Sequence, residues 1–245
     1  MKIKYYLIFI IVLFILQLYA YGQNPIVQST VNQVSGDSIF KHIDVLQKFD
    51  RQTLKNQREC TDYIYKYLKQ SDFDTIYFQE MEFDWTFSGK DSLYISLPNI
   101  IAIKYGKNIH DSIYIIGAHY DAPWVFDGIS GEPTLEEIPT SPAADDNASG
   151  TSAVIEISRV LMGYHPERTI MLVLFAAEEI GIAGSEYFLE NFSEKNKILG
   201  MINLDMIAYS ENKENPLAVI KTNDISSNIF DCCTTSISIC IRFTI

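Results

Sequence analysis

The chain has 245 residues, 47% of them hydrophobic and 20% charged, which places it among globular proteins and excludes disordered, collagen-like and small disulfide-scaffold classes. Nineteen basic against 31 acidic residues give a net charge of −12, or −14 once Lys2 and Lys4 are set aside with the leader described next. A nucleic-acid partner is therefore not expected.

Residues 1–22 differ in chemistry from the rest. Two lysines precede an apolar run from Tyr5 to Ala20, broken only by Gln17, and small residues Ala20 and Gly22 follow. This is the pattern of a secretory signal peptide, so a secreted or periplasmic location is expected. The run is shorter than the roughly 20 residues that span a bilayer, so membrane attachment enters only through an uncleaved leader. Residues 23–36 are polar and are expected to be an extended N-terminal segment.

Residues 37–245 contain no repeat and no linker and read as one domain. Apolar residues recur at helical period over 38–49 and 57–68, and from Thr75 the pattern turns to β-type through Ile76, Tyr77 and Phe78 and again over 97–105. Three runs, 112–118, 169–177 and 199–204, are apolar without alternation, as in strands buried on both faces. Between the first two, Ala153, Val154, Ile157, Val160 and Leu161 keep helical spacing, and a further helix is expected over 184–192. Strand and helix in alternation imply the α/β class: a three-layer α/β/α sandwich with a mostly parallel, mixed central sheet. Cys60, Cys232, Cys233 and Cys240 allow up to two bridges in three pairings, and the lack of C-x-x-C spacing argues against a structural zinc site.

Each buried run ends in side chains that carry chemistry. The first leads to His119-Tyr120-Asp121, the second to Glu178-Glu179 and the third to Asp205, while Asp145-Asp146 precede the helix that begins near Ala148. Singly these are commonplace: a hydrogen-bonded histidine, a solvated loop, an N-cap. Together they should converge, because the C-terminal ends of parallel strands form the ligand crevice of an open α/β sheet. Five or six carboxylates at low dielectric repel one another and raise each other's pKa, which a divalent cation relieves. One imidazole with oxygen ligands suits zinc, with cobalt or manganese as substitutes.

The stretches GAHYDAP (117–123), AADDNASG (143–150), FAAEEIGIAGSEYF (175–188) and INLDMIAY (202–209) resemble the zinc aminopeptidases and related exopeptidases of the M28 type, which use two co-catalytic metal ions; glutaminyl cyclases share part of the pattern. The resemblance covers about residues 37–210. It implies a zinc-exopeptidase-like fold in which His119 and Asp205 hold one metal, Asp146 bridges both and Glu179 holds the other. Glu178 would be general base and acid, Asp121 would fix the far nitrogen of His119, and the Asp146-Asn147 peptide would be cis. The implied reaction is hydrolysis of N-terminal peptide bonds by metal-activated water, with peptide or protein N-termini as substrate.

The sequence departs from that pattern at one ligand. A complete member supplies a further late histidine, and none follows His165 here. His110 and His165 precede their strands and should sit at the opposite sheet edge, roughly 26–30 Å away at about 3.3 Å per residue, and His42 belongs to the first helix. One metal position thus keeps His119, Asp146 and Asp205, whereas the other keeps Asp146 and Glu179, so either one or two zinc ions are expected. Residues 225–245 form an atypical tail with one acidic and one basic residue and three cysteines, which suggests a C-terminal part lacking the last strands and helix of the domain. Three functions stay open at this point: an exported metallo-aminopeptidase, an inactive remnant that binds without turnover, and glutaminyl cyclase-like acyl transfer at a single zinc.

Overall fold

The computed structural model describes residues 25–52, 57–87, 91–123, 141–209, 219–222 and 237–240; the leader 1–22 lies outside them. The chain divides into two units, Met1–Ser35 and Gly36–Ile245. In the first, the expected extended segment is replaced by a helix, α1 (Pro25–Val31). β-branched Val27, Thr30 and Val31 carry little helical preference. Pro25 opens the helix where its missing N–H costs nothing, and Gln28 Nε2 donates to Asn32 Oδ1 at 2.9 Å and Thr30 Oγ1 to the Ile26 carbonyl at 2.9 Å. No helix among the described residues is long and apolar enough to cross a membrane.

The second unit runs α2 (Gly36–Leu46), α3 (Arg58–Leu68), β1 (Thr75–Phe87), β2 (Asp91–Lys104), β3 (Ile109–His119), a kinked turn (Ala144–Ser149), α4 (Gly150–Val160), β4 (Arg168–Phe175), α5 (Ala183–Asn191) and β5 (Ile198–Asn203), followed by β6 (Val219–Thr222) and β7 (Ile237–Cys240). The strands form one sheet in the order β1-β2-β4-β3-β5-β7-β6. Its centre is parallel, β4 with β3, β3 with β5 and β5 with β7, and its flanks are antiparallel. Of the atypical tail, the described residues are those of β7, which pairs Ile202 with Ile237 in the sheet.

Both faces of the sheet are covered, and the apolar runs show why. Along β4, Leu172 and Leu174 join Leu46, Ile64, Leu68 and Val154 from α2, α3 and α4 in one core. Their neighbours Met171, Val173 and Phe175 point the other way and pack with Phe188 of α5. A strand apolar on both sides needs a helix layer on each side, which is the three-layer sandwich. The core helices also take up His42, which is buried, shares a 2.8 Å hydrogen bond with the Tyr63 hydroxyl and meets Tyr67 edge-on at 4.6 Å. It is a packing residue. Cys60 is buried and unbridged, with burial pushing its thiol up to about 12.

The layers place the crevice. From β3 the chain crosses by α4 on one face to β4, then by α5 on the other face to β5, which flanks β3 on its opposite side. Helices leaving to opposite faces open a gap beyond the carboxyl ends of these strands.

Asn99, fully buried on β2, ties this edge to α5: its Nδ2 donates to the Gly184 carbonyl at 2.8 Å and its Oδ1 accepts from Ala176 N at 3.0 Å. Gly184 is held so close that a Cβ there would run into the Ala176 carbonyl oxygen. Gly184→Ala should therefore lower stability by about 1–3 kcal/mol through overpacking, read as a lower urea midpoint at unchanged slope. A second expectation concerns His42. Burial holds its imidazole below the ordinary value, with Glu156 opposing. The fold prefers neutral His42 while the unfolded chain protonates near 6.5, so its contribution is full above that pH and is lost as pH falls below it. The loss in unfolding free energy on acidification below pH 6.5 should be smaller in His42→Gln; identical losses would refute this.

Candidate metal centre

The register of the parallel strands brings the three strand ends to one level. His119 pairs with Phe175 and Gly117 with Asn203, so Glu178 and Asp205, a few residues further on, arrive beside His119. The His119 Nε2 atom lies 3.1 Å from Asp146 Oδ1 and 3.6 Å from Asp205 Oδ1. Ligand atoms of His119, Asp146 and Asp205 all fall within 4.8 Å of one another, and so do those of His119, Glu178 and Glu179. The six residues that the sequence nominates are thus assembled in one place, with His119 and Asp121 buried and the others half-buried. His110 and His165, at the amino ends of β3 and β4, are far from them. The fourth histidine of the chain, His42, packs in the helical layer.

Asp121 is the hub. Fully buried, it accepts the backbone N–H of Glu178 at 3.2 Å on Oδ1 and that of Glu179 at 3.1 Å on Oδ2, and its Oδ1 lies 3.3 Å from His119 Nδ1. One carboxylate therefore orients both glutamates and the imidazole, more than the sequence assigns to it.

The turn bearing Asp146 is fixed as firmly. Asp145 does not face the cluster as a ligand; its Oδ1 accepts Ala208 N at 2.9 Å and so holds the segment beyond Asp205. Ser149 Oγ donates to the Asp145 carbonyl at 2.7 Å and accepts Ile207 N at 3.0 Å. Buried Asn147 spans from Gly150 N at 2.9 Å to the Leu204 carbonyl at 2.9 Å, and Thr151 Oγ1 donates to the His119 carbonyl at 2.8 Å. The Asp146-Asn147 peptide is cis.

Backbone strain gathers here too. The described non-glycine residues with positive φ are Ala143, Ala177, Ile182 and Met206, each within three residues of an acidic side chain of the site. Such conformations cost of order 1–3 kcal/mol each and persist where surrounding bonds over-determine them, as the hydrogen bonds above do.

The electrostatics match a cation site. Burial lowers the pKa of His119, but Asp121, Asp146 and Asp205 outweigh it and hold it well above its ordinary value. Glu179 is pushed up to about 8, by burial first and Asp146 second, and Glu178 is raised by burial and by Asp121, Asp205 and Asp146 against the opposing His119. Glu179 Oε1 is buried without a hydrogen-bond partner. A buried acceptor facing other carboxylates, beside an imidazole whose other nitrogen is braced by an acid, is a donor set that fits a divalent ion such as zinc.

Residues 99–235 match the profile of peptidase family M28. The chain belongs to this family. Among M28-related proteins, the aminopeptidase YwaD of Bacillus subtilis is 38% identical over 133 residues, which is 53% of this chain and 26% of that protein. A probable zinc metalloprotease of Phaeosphaeria nodorum is 29% identical over 208 residues, 75% of this chain and 41% of its own length. The chain spans less than half the length of these relatives. In fold it is similar to a zinc aminopeptidase from Bacillus subtilis, BSAP, with a TM-score of 0.63, 17% identity and coverage of 84% of this chain and 80% of that one. It is also similar to Porphyromonas gingivalis glutaminyl cyclase, with a TM-score of 0.60, 24% identity and coverage of 71% and 62%.

If Asp121 fixes the M28 ligands as its bonds indicate, Asp121→Asn should weaken zinc binding about 10–100-fold by chelator competition, because the amide cannot accept on both sides. Unchanged affinity would remove Asp121 from that role.

Proposed function

We propose that this chain is an exported zinc aminopeptidase. The observation that carries the reading is the convergence of His119, Asp146 and Asp205, with Glu178 and Glu179, on one point beyond the parallel strands. His119, Asp146 and Asp205 would hold one zinc, and Asp146 with Glu179 a second, more loosely held ion. Zinc bound there would polarise the scissile carbonyl and make a water acidic near neutral pH.

The remaining work belongs to the chain's own side chains. Glu178, half-buried and with a raised pKa, would take the proton of the attacking water on its carboxylate and return it to the leaving amine. Asp121, through the amides of Glu178 and Glu179, keeps that carboxylate aimed. The surplus of carboxylates offers a counter-charge to a free α-ammonium group, which favours cleavage at the N-terminus over cleavage within a chain. Export rests on the leader 1–22 and aminopeptidase activity on the relative from Bacillus subtilis that bears that name.

The test is hydrolysis of aminoacyl p-nitroanilides by the zinc-loaded protein. Glu178→Gln should keep its zinc and lose roughly 10²–10⁴-fold in kcat. Zinc retained without turnover in the natural chain would favour a binding remnant. Cyclised product from a peptide with N-terminal glutamine would favour acyl transfer, the reading prompted by the likeness to a glutaminyl cyclase fold.

A further inference from the structure

Arg51 belongs to none of the motifs, yet it is fully buried and reaches the site from the helical layer. Its Nε donates to the Leu46 carbonyl at 3.0 Å, at the end of α2. Nη1 donates to the carbonyls of Tyr120 at 3.1 Å and Asp121 at 3.4 Å, and Nη2 to those of Pro142 at 3.0 Å and Ala143 at 2.7 Å. A guanidinium has five N–H donors, and here every one ends on a backbone carbonyl. Two of the carbonyls belong to the segment that carries His119 and Asp121, and two to the segment that leads to Asp146. The Arg51 carbonyl is itself held, by Ala122 N at 2.9 Å and Gln57 Nε2 at 2.8 Å.

Two features separate this from a plain brace. A buried guanidinium is costly to desolvate, and neutral donors could tie loops together at less cost. Moreover, its fork is spent on carbonyls of the two ligand-bearing segments and not on a carboxylate partner.

We propose that Arg51 is the positioning residue of the metal centre: its fork fixes the separation of the His119–Asp121 and Asp146 segments. The proposal rests on the metal-centre reading above. Lys keeps the charge but has three donors and no planar fork, whereas Met keeps only the bulk. Zinc affinity of the full chain, by competition with a chromogenic chelator, should fall about 10–100-fold in Arg51→Met and less in Arg51→Lys. The visible absorption of the cobalt-substituted protein should shift in both. Ile64→Ala, a core truncation in α3 away from the site, controls for lost stability and should leave zinc affinity unchanged.

Folded Arg51 variants with natural zinc affinity and an unchanged cobalt spectrum would overturn the proposal, as would losses equal to that of Ile64→Ala. If Arg51→Met does not fold, Arg51→Lys decides; if neither folds in the presence of zinc, Arg51 is a folding brace and the proposal fails. A natural chain that takes up no zinc would defeat the metal-centre reading and this one with it, which sets that failure apart from one seen in the variants alone.

Discussion

Negative charge crowded into a half-buried crevice is the constraint on which the rest of this structure turns. Asp121, Asp146, Glu178, Glu179 and Asp205 meet beyond the parallel strands with a single imidazole among them. In a protein interior such a group is self-repelling, and burial together with the neighbouring Asp146 raises the pKa of Glu179. The fold answers with backbone bonds that hold the segments bearing these acids, and with a donor geometry that suits a cation.

Those bonds hold in place a site that is made of loops. Asp121 and Asp145 spend their acceptors on amides of neighbouring segments, and Asn147, Ser149 and Thr151 cross-link the turn before α4 to the ends of β3 and β5. Left-handed residues such as Ala177 and Met206 are the local cost of turning the chain sharply enough to aim its neighbours inward. The helical layer takes part through Arg51, whose proposed role makes α2 a support of the metal centre as well as a cover for the sheet.

The two candidate ion positions are unequal. Under the proposed reading, among the described residues, His119, Asp146 and Asp205 would offer three ligands to one, and Asp146 and Glu179 two to the other. Three protein ligands with an open position is the usual arrangement of a catalytic zinc.

Much of this was legible in the linear order of residues. Unbroken apolar runs ending in His119, Glu178-Glu179 and Asp205 report strands buried on both faces, because a strand with a solvated face would alternate, and strands of one direction must end on one rim. That rule alone gathers the acids and excludes His110 and His165. The short helix Pro25–Val31 was not legible, since its stability comes from side-chain bonds one turn apart and not from periodicity. Nor were the double duty of Asp121, the diversion of Asp145 to an amide, or the five carbonyls around Arg51. Residue type and spacing determine which groups reach the crevice. Which of them face one another, and which face the backbone, is decided only when segments 69 to 92 residues apart close on each other, because hydrogen bonds to main-chain groups carry no signature in the side chains that make them.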